Sequence, residues 1–582
     1  MAVDTGGTFT DVVTDEGHVV KLPSDPDDPA RPVGAGVRRG GGAGVLAHGT
    51  TVATNALLER RGGRVALITT EGHRDGIEIA RQTRPSLYDL WADRPEPLVP
   101  RALRLEVSGR LDAAGKELTA VGAIPDLPSG LDAVAVSLLH ADRNPEQERA
   151  VAAALEGRTT VVCSSAVSPE YRDYERTVTT VVDAYLRRPC AAYLAGLRPV
   201  APEVLVLTSA GGLVPLAAAA ARPVTLLLSG PAGGVLAASQ AGAAAGFADC
   251  VTFDMGGTST DVCLIRDGRP EPAAERRVGG LPIRMPSLDV HTIGAGGGSI
   301  GRIDAGGALM VGPQSAGAEP GPACYGRGGT SPTVTDADLL AGRIPPEGLA
   351  GLGRLDGAAA RRALESAGVT AEGMIAVVDN AMVQAVRAAS VQRGVDPAGL
   401  ALVAFGGAGP LHACALADAL GMPAVVVPPR AGVLSAVGIL GAPRQVDAVR
   451  SWPDPADHAG AAAAAARLGA SIGGVGQIEI WLDCRYAGQS HELTVPSVDA
   501  FPAAHERRNG FVMDGTPVEV IAIRASARWP SPVDTARLPP PDRAGAVAGP
   551  AVIAEEDCTI WVAEGWRADA HPSGSWLLTR VD

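Results

Sequence analysis

The sequence predicts a mixed α/β chain, built on a duplicated unit of strand, Gly turn and strand, that ends in a mostly-β segment. Three observations carry that prediction. Short apolar strands alternate with stretches of helical period as far as Pro443, the pattern of layered α/β architecture. DTGGTFTDV begins at Asp4 and DMGGTSTDV begins at Asp254, and the two differ only at their second and sixth positions. After Pro443 the apolar runs become short and alternating, separated by Gly, Pro and polar turns, as strands are.

In chain order, GVLAHGTT reads as a strand, VATNALLERRG as a helix and RVALITT as a strand. Each copy of the repeat is preceded by a short strand, Met1 to Val3 or Val251 to Phe253. Each runs on into an apolar strand that reaches a turn, Asp15-Glu16-Gly17 or Arg266-Asp267-Gly268. SPEYRDYERTVTTVVDAYL, from Ser168, has a polar start and apolar residues at helical spacing, and predicts a long helix into a second α/β region. Beyond Pro443, RSWPDPADHAG reads as a linker and an Ala-rich helix follows it. QIEIWLDCRY, HELTVP, PVEVIAIRASARW, PAVIAEEDCTIWV and SWLLTRV read as strands. The expected domains are therefore 1–184, 185–443 and 444–582. The last is expected to be an accessory unit, because none of the Gly-rich motifs lies in it.

A chain of 582 residues is long enough for three or four cores. With 46% hydrophobic but only 3% aromatic residues, those cores must be built from Ala, Val, Leu and Ile. The formal charge of -14, without a compensating basic run, argues against non-specific binding to nucleic acid or to an anionic membrane. The N-terminus lacks the layout of a signal peptide and no run of about twenty apolar residues is uninterrupted, so a cytoplasmic location is expected. The eight cysteines are scattered with no CxxC pair, and read as small buried apolar residues. Cys324, in the Gly- and Pro-dense PGPACYG, is the one candidate ligand or reactive thiol.

A strand that ends in Asp and turns through Gly-Gly-Thr suits a nucleoside triphosphate. Glycines let backbone N–H groups approach phosphate oxygens, the Thr hydroxyl adds a donor, and the Asp offers a hard oxygen to the accompanying Mg²⁺. One DxGGT could be no more than a tight hairpin turn; two near-identical copies point to a phosphate chain gripped from both sides. SGPAGG from Ser229, GAGGGS from Gly294 and FGGAGP from Phe405 suggest further cleft-lining backbone, with Gly296 and Gly297 as nucleotide contacts. FGGAGP stands between an apolar strand and a predicted helix, as a nucleotide-contacting turn does. His48, at a strand end before Gly49-Thr50-Thr51, and His412, just after FGGAGPL, are placed to meet phosphates or substrate. Arg81, Arg84, Tyr88 and Asp89, in RQTRPSLYDL, form a polar cluster that reads as a substrate contact or lid.

Together with the repeat, HGTTVATNALLER, SPEYRDYERT, SGPAGGV, TIGAGGGSI, AGAEPGPACYGRGG, PTVTDADLL, FGGAGPLHA, VPPRAGVLSAVG and DCRYAGQSHEL resemble the hydantoinase A and 5-oxoprolinase family. GPAVIAEEDCTIWVAEGW extends the likeness to the C-terminal end. The resemblance implies two ribonuclease-H-like lobes of the actin and sugar-kinase superfamily type, clamping ATP, plus the C-terminal mostly-β domain. It assigns Asp4, Gly6, Gly7 and Thr8 to one phosphate loop and Asp254, Gly256, Gly257 and Thr258 to the other. Gly406, Gly407 and Gly409 fall on the adenosine side.

The implied activity is ATP-dependent opening of a cyclic amide, a hydantoin or 5-oxoproline type of ring, through phosphorylation of the amide oxygen. Asp4 and Asp254 are then the Mg²⁺ ligands, with Asp254 also positioning the attacking oxygen. Thr8 and Thr258 donate to phosphate, and Asp11 and Asp261 support the site from the strands that follow. His48 and His412 complete the catalytic candidates. A B-type subunit is the implied partner, in a hetero-oligomer. An ATP-dependent carboxylase subunit of the acetone or acetophenone type, and an actin-like or chaperone-like ATPase, are the alternatives. The stretches before Asp4, around Arg31 to Gly44, and between Gly441 and Asp483 are shorter than is usual for the family, which bears on substrate and partner contacts.

Overall fold

The computed structural model describes residues 1–581 apart from 26, 274, 348–352, 475, 532, 536 and 537. Two large sheets organise it. In the first, Ala2–Thr5 pairs antiparallel with Phe9–Val13, which pairs with Val19–Pro23. On its other side Ala2–Thr5 runs parallel to Val45–Thr50, and that strand runs parallel to Glu203–Leu207. The second sheet repeats this order around Cys250–Met255. Thr260–Arg266 and Arg269–Pro270 lie on one side of it, and Ala401–Phe405 and Ala424–Val427 lie on the other, parallel to it. Numbered within each unit, both sheets read 3-2-1-4-5. The duplicated motif thus marks the central strand and first hairpin of a duplicated sheet.

Between the fourth and fifth strands of the first sheet, the chain inserts a smaller all-parallel sheet. Its strands lie in the order Thr160–Cys163, Ala133–Ser137, Val65–Thr70, Arg104–Val107. Val65–Thr70 and Ala133–Ser137 are buried at every residue. This is why their sequences are continuous apolar runs rather than alternating ones. The helix Asp173–Leu197 returns the chain across this insert to Glu203–Leu207.

The structure corrects the expected domain divisions. A boundary at 184 falls inside Asp173–Leu197, and the fifth strand of the first sheet lies beyond it. Nor does the segment after 443 stand apart. Arg444–Ser451, Val518–Trp529, Gln477–Tyr486 and Leu493–Val495 extend the first sheet, while Trp576–Arg580, Trp566–Ala570 and Ala546–Ala548 extend the second. Trp566 and Trp576 are buried in the same apolar cluster as Phe253 of the central strand. In a chain so poor in aromatics, two of its large rings close a core shared with the strand that leads into the second DxGGT turn. The turn and linker reading also gives way at Arg450 and Ser451, which lie within a strand.

Two helices cross between the sheets. Ser229–Ala244 touches strands of both, and Leu434–Leu440 packs on Ala2–Thr5. They meet Gly on Gly: a Cβ on Gly438 would lie 1.8 Å from the Gly233 carbonyl oxygen, and one on Gly233 would lie 2.7 Å from that of Ser435. SGPAGG, expected to be cleft-lining backbone, opens the helix Ser229–Ala244, and its glycines admit a close backbone crossing.

Candidate active site

Asp4 and Asp254 occupy equivalent positions on the two central strands. Asp4 stands opposite Asp11 and Gly49, and Asp254 opposite Asp261 and Phe405. The turns after them close in the same way, the Gly6 amide donating to the Phe9 carbonyl at 3.0 Å and the Gly256 amide to that of Ser259 at 3.1 Å. The two turns face one another closely: a Cβ on Gly257 would lie 3.3 Å from Thr8 Oγ1. Gly7 and Gly407 have open space where a side chain would be, so backbone there is accessible to a ligand.

The other Gly-rich segments buttress this centre. The Gly297 and Gly298 amides donate to the carbonyls of Gly256 and Gly257, and a Cβ on Gly296 would lie 2.7 Å from Gly256 O, so GAGGGS lies flat against the second loop. Gly406 has φ +80°, and a Cβ there would lie 2.3 Å from Asp254 Oδ1. Only glycine meets both conditions. Gly409 opens the helix Gly409–Leu420, where a Cβ would lie 3.3 Å from Phe253 O. Gly49 and Gly230 bring HGTT and SGPAGG against Asp4, with Cβ positions 2.8 and 3.9 Å from its Oδ1.

The electrostatics of the centre are those of excess negative charge. Asp4 keeps part of its surface open, yet its Oδ1 is enclosed and has no hydrogen-bond partner among the described residues. Burial and then the charge of Asp11 push its carboxyl up to about 7, against the pull of Lys21. Burial, Asp261 and Asp4 push Asp254 well above the usual carboxylate range, against a hydrogen bond from Ser435. Burial likewise raises Asp261 to about 6, opposed by the Thr292 hydroxyl and by Arg276. Two hard-oxygen groups, one with an orphaned buried oxygen, in a field that penalises their own charge, form a donor set that fits Mg²⁺. Asp4 and Asp254 are the residues that would hold it.

Residues 176–447 match the hydantoinase/oxoprolinase family, and residues 1–158 match its N-terminal region. The chain belongs to the hydantoinase/oxoprolinase family. Among its relatives, the caprolactamase subunit alpha of Pseudomonas jessenii is 32% identical over 100% of this chain and 99% of its own. The 5-oxoprolinase 1 of Arabidopsis thaliana is 35% identical over 75% of this chain, which spans 41% of the plant protein. The acetophenone carboxylase gamma subunit of Aromatoleum aromaticum is 33% identical over 75% of this chain and 67% of its own. The crystal structure of the ATP-dependent caprolactamase from Pseudomonas jessenii superposes over 100% of both chains with a TM-score of 0.84 at 30% identity. A nucleotide-free acetone carboxylase, at 24% identity with a TM-score of 0.77, shares the fold.

In this member of the hydantoinase/oxoprolinase family both candidate histidines are occupied away from the loops, a correction to their expected roles. His48 is fully buried. Its Nδ1 lies 3.0 Å from the Val3 carbonyl and its Nε2 lies 2.6 Å from Tyr193 Oη, so both ring nitrogens are engaged. Burial pushes it down to about 4, against the hydrogen bond to Val3, and it is neutral. His412, also fully buried, lies between Asp379 on Nδ1 (2.6 Å) and Asp338 on Nε2 (3.3 Å). Burial opposes its charge, but the two carboxylates outweigh that and hold it up at about 10. It is an imidazolium that ties together three helices: Gly409–Leu420, Val334–Leu340 and Ala371–Ala389.

The polar cluster of RQTRPSLYDL does not converge. Arg81 is bidentate with Glu175, whereas Tyr88 is 97% exposed. Cys324 is buried, and burial together with Asp336 pushes its thiol far up, which disfavours the thiolate a reactive cysteine needs. Among the described residues, Glu555, Asp557 and Cys558 also lie at metal-ligand spacing. Arg543 and the Trp576 indole take up Glu555, and the Gly432 amide takes up Asp557. Three neighbours of the centre escaped the sequence reading. Lys21 pairs with Asp11 at 3.1 Å, Ser435 bonds Asp254, and Arg276 lies within the field of Asp261. Register alone could have found Lys21, since it stands opposite Asp11.

Proposed function

We propose that this chain is the ATP-binding subunit of an ATP-dependent cyclic amidohydrolase that opens a hydantoin or 5-oxoproline type of ring. The observation that carries the reading is the pair of facing DxGGT turns, each with its carboxylate at the end of a central strand. The strand order common to both sheets supports reading them as ribonuclease-H-like lobes of the actin and sugar-kinase type. The names of the relatives support ATP-dependent attack on a cyclic amide.

An amide in an unstrained ring is a poor electrophile with a poor leaving group. When the amide oxygen attacks the γ-phosphorus, ADP departs and an imidate phosphate forms. Water adds to its carbon, the ring C–N bond breaks as nitrogen takes a proton, and a second water releases phosphate from the resulting acyl phosphate. Mg²⁺, held by Asp4 and Asp254, would neutralise phosphate charge. The chain's own work is positioning: backbone at Gly7 and Gly257 and the hydroxyls of Thr8 and Thr258 orient the phosphates, while Gly406, Gly407 and Gly409 lie on the adenosine side. Asp254, raised by its neighbours and held by Ser435, positions the attacking oxygen. A B-type subunit completes turnover in a cytoplasmic hetero-oligomer.

Calorimetry with millimolar Mg-ATP tests nucleotide binding; no heat of binding, alone or with the B-type subunit, would end this reading. The acetophenone carboxylase relative favours a second reading, in which the same loops phosphorylate an enol. Bicarbonate-dependent turnover of a ketone would decide for it. No observation here favours the motor or chaperone reading over these enzymes.

A further inference from the structure

Resting on the ring-amide reading, we infer that the small cavity under Leu228 seats the substrate ring and that Arg276 receives a carboxylate carried by that ring. The substrate class is therefore an anionic cyclic amide of the 5-oxoproline kind rather than an uncharged lactam.

The cavity measures about 240 Å³ counted to its open mouth. Most of its walls are apolar, Leu228, Val278, Ile283 and Met285 among them, with Ser209, Ser287 and Arg276 as polar members. It lies against the cleft from both sides. The Leu228 amide donates to Thr54 Oγ1 and the Ser229 hydroxyl to the Thr50 carbonyl, and two residues after Leu228 comes Gly230, which abuts Asp4. From the other side, the field of Arg276 reaches Asp261, the strand partner of Asp254.

Arg276 is the odd group in this cavity. Its Nη2 donates to the Val290 carbonyl at 2.9 Å, but Nη1 is buried with no hydrogen-bond partner among the described residues. Among the described residues no carboxylate lies within ion-pairing distance of it, whereas Arg284, just beyond the ribbon, meets both Glu170 and Glu492. A guanidinium cannot shed its charge as a buried lysine can, so an enclosed, unpaired one calls for an anion. Aspartates 261 and 289 are felt only at longer range. The bidentate fork of arginine suits a carboxylate, and the apolar walls suit ring methylenes.

A ring enters only if one wall of the cavity moves. As it stands, its enclosed part has room for about one water. One wall is the two-stranded ribbon Arg276–Val278 and Leu281–Ile283, joined through Gly279 and Gly280 and paired with neither large sheet. Such a ribbon has little stability beyond its packing. It rests on the core of the first lobe through Val278, Ile283 and Met285. A ring entering under it would replace those contacts with its own methylenes.

The test is steady-state ADP release by the chain with its co-expressed B-type subunit, using 5-oxoproline and ε-caprolactam as the ring probes. Wild type, Arg276→Met, Arg276→Lys and the neighbouring control Arg277→Met are compared. The inference expects 5-oxoproline to be preferred, and Arg276→Met to raise its KM about tenfold to a hundredfold with kcat less affected. Arg276→Lys is expected to recover part of that loss, while KM for caprolactam and the Mg-ATP affinity stay within about threefold. A structural role for Arg276 would instead move both ring substrates and nucleotide binding together, and that result overturns the inference. Preference for caprolactam in the wild type also overturns it while leaving the ring-amide reading intact. ADP release indifferent to both rings would overturn the ring-amide reading beneath it.

Discussion

At the scale of single residues, the centre is governed by the burial of its carboxylates, to which Asp11 adds at Asp4, and Asp261 and Asp4 add at Asp254. Asp4, raised to about 7, and Asp254, raised well above the usual carboxylate range, share a field with Asp11 and Asp261, and a bound cation relieves all four. Asp254→Asn is therefore expected to lower turnover by about two to four powers of ten while leaving the fold intact, read from kcat beside a thermal melt. His412 contributes to stability rather than to chemistry. Its folded-state value near 10 lies above the ordinary histidine value of about 6.5, so its contribution is complete below about pH 6.5 and is lost as the pH rises toward 10. His412→Asn leaves the buried Asp338 with only the more distant Arg343, at 3.8 Å, as its cation. A loss of about 3–5 kcal/mol at neutral pH, with a flatter decline of Tm from pH 7 to 10, is the expected result of melts across that range. Asp4 and Asp254 were legible in the sequence because the motif occurs twice. His48 was not, because strand parity decides its side: Val3 and His48 are register partners, one position away from the pair Asp4 and Gly49 on alternating strands. One residue along a strand separates the cleft from the core.

At the scale of elements, the glycines were legible as sites of close approach, but the partner they approach was not. SGPAGG shows the reason: its glycines fit a helix crossing whose other half, Leu434–Leu440, lies about two hundred residues away in sequence. Ser435 on that second helix bonds Asp254, and Ile439 packs where a Cβ on Gly49 would lie, 2.5 Å away, beside Asp4. The crossing thereby holds both aspartate-bearing loops in relation. Gly438→Ala is expected to destabilise by about 1–3 kcal/mol, because the Gly233 backbone must retreat, and to lower kcat even where the protein is folded. Gly399→Ala, with open space at its Cβ position, is the control and is expected to change stability by less than about 0.5 kcal/mol. Urea unfolding and kcat measured on the same preparations check both. The separate inserted sheet was legible only as α/β alternation, since a parallel order depends on which distant strands pair.

At the scale of the whole molecule, the strands after Pro443 finish both large sheets. An accessory role for them is therefore replaced by a structural one. A chain ending near Arg450 loses the neighbours of Ala424–Val427 and the burial of Trp566 and Trp576, and is expected to be recovered only as aggregate. A truncated chain that is monomeric, melts cooperatively and still binds Mg-ATP would contradict this. The sequence pattern revealed the strands themselves; it could not show that they join existing sheets, because edge pairing leaves no local signature. Joined in this way, the chain brings the two loops face to face, and in the proposed function the second half of the reaction falls to the B-type partner. The most direct measurement is of ADP and ring-opened product side by side, with Mg-ATP and a panel of hydantoins, 5-oxoproline and lactams, for the chain alone and with that partner. Slow ADP release without matching ring opening is expected of the chain alone, and one ADP per ring opened of the complex. Ring opening that proceeds at full rate without ATP, or one-to-one turnover by the isolated chain, would contradict this expectation.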